Sequence, residues 1–178
     1  MVGTWRSSPV GPLDDLMWAG PDGRRVLVAA TDEGAAYVAS VYGFDEVVVG
    51  PLRVRLDGRH LHVHAPEVGV ELHLTGGRLA VSLPWARPAW FTRWVEGPLA
   101  RRALGVETYG VSPSGVREWY RAVSLRRVVA GWASVAGGDL GRLGPIEPRA
   151  GFGFSEPPRF PSMVGARPLL EWPRPGPG

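Results

Sequence analysis

Apolar and polar residues alternate along much of this chain, in short runs separated by glycine and proline. That pattern predicts many short strands joined by tight turns. The first pair is a hairpin, with Leu16–Ala19 and Arg24–Ala29 flanking Pro21-Asp22-Gly23, residues suited to a tight turn. Thr31 then offers an N-cap oxygen, and Asp32 and Glu33 suit the positive end of a helix dipole. Ala35, Ala36, Val38, Ala39 and Val41 continue a short helix that Gly43 can end.

Three successive hairpins follow. Asp57-Gly58 suits a two-residue turn pairing Leu56 with Arg59, Val54 with Leu61 and Leu52 with Val63. Pro66–Gly69 makes the second turn, and Gly76-Gly77 makes the third, pairing Leu74 with Leu79. Side chains alternate between faces, so a one-residue slip exchanges the faces. Only an odd residue sum at the Pro66–Gly69 turn puts Leu61 and Val63 on the same face as Val70, Leu72 and Leu74. The expectation is a meander with strands near 46–56, 59–65, 69–75 and 78–83. Its apolar face comprises Leu52, Val54, Leu56, Leu61, Val63, Val70, Leu72, Leu74, Leu79, Val81 and Leu83. Each large side chain buried there contributes about 1.5–3 kcal/mol before conformational entropy is subtracted.

Pro88–Leu104 reads as helical with a break at Gly97-Pro98. Ser112–Gly115 is turn chemistry between arms at Val106–Val111 and Val116–Ala122. Val128–Val135 returns through Leu140–Leu143, and Pro145–Pro168, with Phe152, Phe154 and Phe160, reads as irregular chain wrapping the sheet. These elements predict a mainly β fold: an antiparallel hairpin and meander sheet curled into a partly open barrel, with one or two helical segments packed on it. A two-sheet sandwich is the alternative, and missing strand–helix alternation argues against a doubly wound parallel sheet. Residues 1–171 form a single domain, and the Pro/Gly-rich tail 172–178 is expected to be disordered.

Composition removes chemistry rather than adding it. The absence of Cys excludes disulfides, zinc–thiolate sites and thiol nucleophiles. There is no Lys either, so all 20 basic residues are Arg, and Schiff-base and P-loop lysine chemistry are excluded. Asn and Gln are missing as well. The lack of Lys points to a GC-rich bacterial genome more than to heat adaptation, which enriches Lys. The net charge of +3 is modest, so nucleic-acid binding is disfavoured unless the cations cluster. No secretory signal and no membrane-spanning apolar run is legible, which makes the cytoplasm the expected location.

The least ordinary feature is the polar face of the meander. His60, His62 and His64 alternate on one strand, with His62 expected opposite His73 and His64 opposite Glu71. On the other neighbour Arg55 is expected to face His60, and Arg53 to face His62. This cluster suits an anion or acid–base site. It suits a metal less well, because two guanidinium groups on the same face repel a divalent cation, and no metal ligand is assigned. A solvated polar sheet face is the plain alternative.

A second candidate is the Tyr109, Glu118 hairpin, with Tyr109 facing Glu118 and Glu107 facing Tyr120. The Arg- and Trp-rich stretch Trp85–Trp94 reads as an amphipathic helix burying its aromatics. The leading functional expectation is a binding domain for a small apolar or amphipathic molecule, lined by Trp18, Trp119 and Trp132 with Tyr109 or Glu118 as its polar handle. An acid–base enzyme on the His-rich or Tyr/Glu face, and a non-catalytic interaction protein, are the alternatives. No cofactor is expected, and a homodimer remains open.

Overall fold

The structure, a computed structural model, describes residues 1–82, 102, 107–112, 114–146, 150–155 and 157–173. The helical reading of Pro88–Leu104 falls outside them apart from Arg102. The expectation of a mainly β chain holds, with 53% strand and one α-helix among the described residues.

The first sheet holds β1 (Val2–Trp5), β2 (Leu13–Ala19), β3 (Arg25–Ala29) and β4 (Glu46–Val49), in that order. The β2–β3 hairpin forms as expected, pairing Leu16 with Val28 and Trp18 with Val26. Helix α1 (Asp32–Val41) follows, and the Thr31 hydroxyl accepts from the Gly34 amide at 3.1 Å, as the N-cap pattern requires. The helix lies between β3 and β4, which pair in parallel, so the chain contains one β–α–β unit that the hairpin reading did not anticipate.

The second sheet contains β5 (Arg53–Asp57), β6 (His60–Ala65), β7 (Val70–Ser82), β8 (Tyr109–Val111), β9 (Arg117–Val135), β10 (Gly138–Asp139) and β11 (Ser162–Glu171). Its central path runs β10-β9-β7-β6-β5, with β8 and β11 also paired to β9. Neither sheet is closed or strongly curled, so the expected barrel is not formed. The two sheets instead pack face to face. Leu16, Val26 and Val28 from the first meet Val63, Ala65 and Val70 from the second, with Leu52 beside them. On the other side of the first sheet, Met17, Leu27 and Ala29 pack on Ala35 and Val38 of α1, closed over by Ala150 and Phe152. The layers are therefore helix, four-stranded sheet and seven-stranded sheet.

Several local expectations are corrected. The strand expected at 46–56 is divided between the two sheets as β4 and β5, because Pro51 has no amide to continue the pairing with β3. The β5–β6 loop is Gly58-Arg59 rather than Asp57-Gly58, with Gly58 at φ 58°. This moves the register by two residues and leaves every side chain on its expected face.

Gly76-Gly77 makes no turn: β7 continues through it alongside β9, with shifts of register at Thr75/Gly76, Gly76/Leu79 and Leu79/Val81. Those glycines serve close approach instead. A Cβ at Gly76 would lie 2.9 Å from Met163 Sδ, and one at Gly77 would lie 2.8 Å from Val129 Cγ1. The return expected at Leu140–Leu143 is the shorter β10, after a turn with Ala136 and Gly137 both at positive φ.

The described residues of the Pro-rich stretch are irregular only up to Pro161, after which the chain becomes β11. Pro168 is accommodated there because β11 pairs only with β9. Of the tail, Trp172 and Pro173 are described, and the Trp172 ring lies 6.2 Å from that of Tyr37. Among the described residues no helix is long and apolar enough to cross a membrane.

Candidate functional site

The outward face of the second sheet is built from cross-strand rows, because paired residues share a face. One row runs Arg53, His64, Glu71, Ser134 and Asp139 from β5 to β10. The next runs Arg55, His62, His73 and Trp132. A third holds Asp57, His60 and Thr75, with the His60 Nδ1 at 3.2 Å from the Thr75 hydroxyl.

His62 stands opposite His73 and His64 opposite Glu71, in the register the parity argument predicts. Arg55 faces His62 and Arg53 faces His64, two residues from the expected partners, owing to the shifted loop. The His62 and His73 rings lie 4.4 Å apart, the His73 and Trp132 rings 5.4 Å apart, and His73 Nε2 contacts Glu71 Oε1 at 3.1 Å. Arg53, Arg55, His62, His64, Glu71 and His73 surround an open cleft of about 210 Å³. Among the described residues neither Arg53 nor Arg55 has a carboxylate partner. Trp132 and Ser134 extend this face beyond the cluster read from the sequence; only the pairing of β7 with β9 brings them there.

The five residues expected to line an apolar pocket occupy different surroundings. Trp18 packs against the core between the sheets. Trp132 lies on the outward His face, 43% exposed. Tyr109 pairs with Trp119, their rings 5.1 Å apart. Glu118 pairs with Gly110 and points to the opposite face from Tyr109. The expected Tyr109–Glu118 pairing fails by one residue. Ser112 and Val116 close the loop, with the Ser112 amide bonded to the Val116 carbonyl at 2.9 Å, and Gly115 at φ 83° shortens it.

Glu118 belongs to a buried polar network that the sequence reading largely missed. It is 1% exposed, accepts from the Tyr42 hydroxyl at 3.3 Å through Oε1, and leaves Oε2 without a partner. Burial pushes its carboxyl up to about 7, against the opposing Tyr42 hydrogen bond. Asp15 is fully buried, accepts from the Trp5 indole at 2.7 Å, and leaves Oδ1 without a partner. Burial raises it to about 6.

Gly3 faces Asp15 across the β1–β2 pair, where any Cβ would collide with the carboxylate. Tyr37 stacks edge-on to Trp5 at 5.7 Å. Burial, then the charge of Glu118, raises Tyr37, Tyr42 and Tyr120, Tyr120 to about 12. The available signal was the acid–aromatic alternation of Glu118 and Tyr120; Asp15 had none beyond its position in an apolar strand.

Among the described residues no group of three or more His, Asp and Glu side chains is placed to hold a metal ion. Comparison with family models, curated proteins and solved structures finds no match.

Proposed function

We propose that this protein is a small-molecule-binding β domain whose ligand is anionic and is held on the outward face of the second sheet. The observation that carries this reading is the pair Arg53 and Arg55, without carboxylate partners among the described residues, beside the three imidazoles of His62, His64 and His73 around one open cleft whose single carboxylate, Glu71, is engaged by His73. Guanidinium groups offer planar, bidentate donors to phosphate or carboxylate. The imidazoles add N–H donors beside the two guanidinium groups. A cleft of about 210 Å³ suits a phosphate-sized group better than a drug-sized apolar ligand.

The test is calorimetry with inorganic phosphate and pyrophosphate. Binding is expected in the wild-type protein and is expected to vanish in the Arg53→Ala/Arg55→Ala variant. Equal binding by the variant, or no heat from either protein, overturns the reading.

The second reading is an acid–base enzyme, favoured by Glu118. A carboxyl pushed up to about 7 with one free oxygen, beside Tyr42 and Tyr120, can hold or release a proton near neutral pH. It requires that solvent or substrate reach Glu118. Carbodiimide labelling of the folded protein, mapped by mass spectrometry, tests that requirement, and an unlabelled Glu118 removes this reading.

A further inference from the structure

The anion-binding face has two unlike ends. Arg53 and Arg55 lie on β5 at one end of their rows. At the other end are Trp132 and Ser134 on β9, with the Asp139 carboxylate of β10 in the neighbouring row, while Glu71 on β7 lines the cleft itself and is engaged by His73. Between them His62 and His73 continue the aromatic line from Trp132, at ring separations of 4.4 and 5.4 Å. Three strand-to-strand steps separate β5 from β9 along this row, roughly 14 Å at normal sheet spacing. The cleft between the arginines and histidines takes a phosphate-sized group, so the rest of any larger ligand must lie over the adjoining surface. The adjoining surface is an indole that is 43% exposed.

We propose that the ligand is a nucleoside phosphate, with its base against Trp132 and its phosphates between Arg53 and Arg55. This rests on the anion reading above. The two ends of the molecule match the two ends of the face. Phosphate oxygens accept from guanidinium and imidazole N–H donors, the flat base covers the exposed indole, and amino groups on the base can donate to Asp139. The same base-and-phosphate chemistry is offered by a free nucleotide and by a single strand.

Calorimetry with ATP, tripolyphosphate, adenosine and a short single-stranded oligonucleotide, at one pH and one salt concentration, tests the proposal. ATP is expected to bind more tightly than tripolyphosphate, by about 5- to 150-fold if stacking has its usual strength. Trp132→Ala should abolish that ratio while leaving tripolyphosphate binding unchanged, and Arg53→Ala/Arg55→Ala should weaken both. Trp132 is partly exposed, so circular dichroism should show the variant folded. An oligonucleotide that outbinds ATP with the same Trp132 dependence assigns the same chemistry to a strand. Equal ATP and tripolyphosphate affinities, with the arginine dependence intact, overturn this inference and leave the anion reading standing. No binding by any of the four overturns both.

Discussion

Near its C-terminal end, β9 sets Trp132 into a face lined by histidines and arginines and open to water, with Ser134 buried in the neighbouring row. At its N-terminal end the same strand half-buries Tyr120 and sends Glu118 to the hydroxyl of Tyr42 at the end of α1. In water a guanidinium or imidazole keeps its hydration, so grouping several on one side costs little. A carboxylate buried with one free oxygen has lost its hydration and gained only the Tyr42 hydroxyl. On the anion reading proposed above, the exposed cluster exchanges water for a ligand, whereas the buried one couples protonation to stability.

Four variants or conditions separate the two regions, in decreasing order of expected effect on stability. Leu27→Ala, at a fully buried position between the first sheet and α1, should cost about 2–5 kcal/mol in a denaturant titration. This sets the scale of the apolar core beneath both regions.

The pH dependence comes next. Glu118 and Asp15 hold their protons to about 7 and 6 in the folded state, above the ordinary carboxyl range. Between their unfolded and folded values the native state binds more protons, so their contribution to stability is complete at low pH and falls as pH rises through 6 to 7. For Glu118 the loss between pH 5 and pH 8 is of order 3 kcal/mol. The difference between wild type and Glu118→Gln isolates it. A stability–pH curve with the same slope in both proteins shows that Glu118 is not the group responsible.

Tyr42→Phe leaves both Glu118 oxygens without a hydroxyl and should cost about 1–3 kcal/mol. It should also move the pH midpoint upward, because the lost hydrogen bond favoured the charged form. The smallest effect on stability is at the exposed face. Arg53→Ala and His62→Ala should change it by no more than about 0.5 kcal/mol, while on the anion reading Arg53→Ala/Arg55→Ala should remove phosphate binding. A large loss of stability in either would mean that the face is structural rather than a ligand surface.

Much of the exposed cluster was legible because it depends on parity. The loop at Gly58-Arg59 displaced β5 from its expected register by two residues, and Arg53, Arg55, His62 and His64 still share a face. The hairpin before β9 slipped by one, and that slip separated Tyr109 from Glu118. The Gly76-Gly77 step shows another limit. Two adjacent glycines suit a turn and suit close packing equally well, and only the neighbouring atoms of Met163 and Val129 distinguish these uses. The division of the 46–56 segment had a local cue in Pro51, but the identity of the two sheets it joins did not.

What the sequence alone determined was the strand-rich character, the Thr31 cap on α1, the β2–β3 hairpin and the gathering of four histidines on one face. These follow from alternation and turn chemistry within a few residues. Only the tertiary structure decided that β3 and β4 pair in parallel around α1, that β9 is the common partner of four strands, and that two open sheets replace a barrel. It alone made Glu118 and Asp15 buried acids. Strand partners distant along the chain are chosen by the joint packing of whole faces, and a carboxyl's environment follows from that choice rather than from its immediate neighbours in sequence.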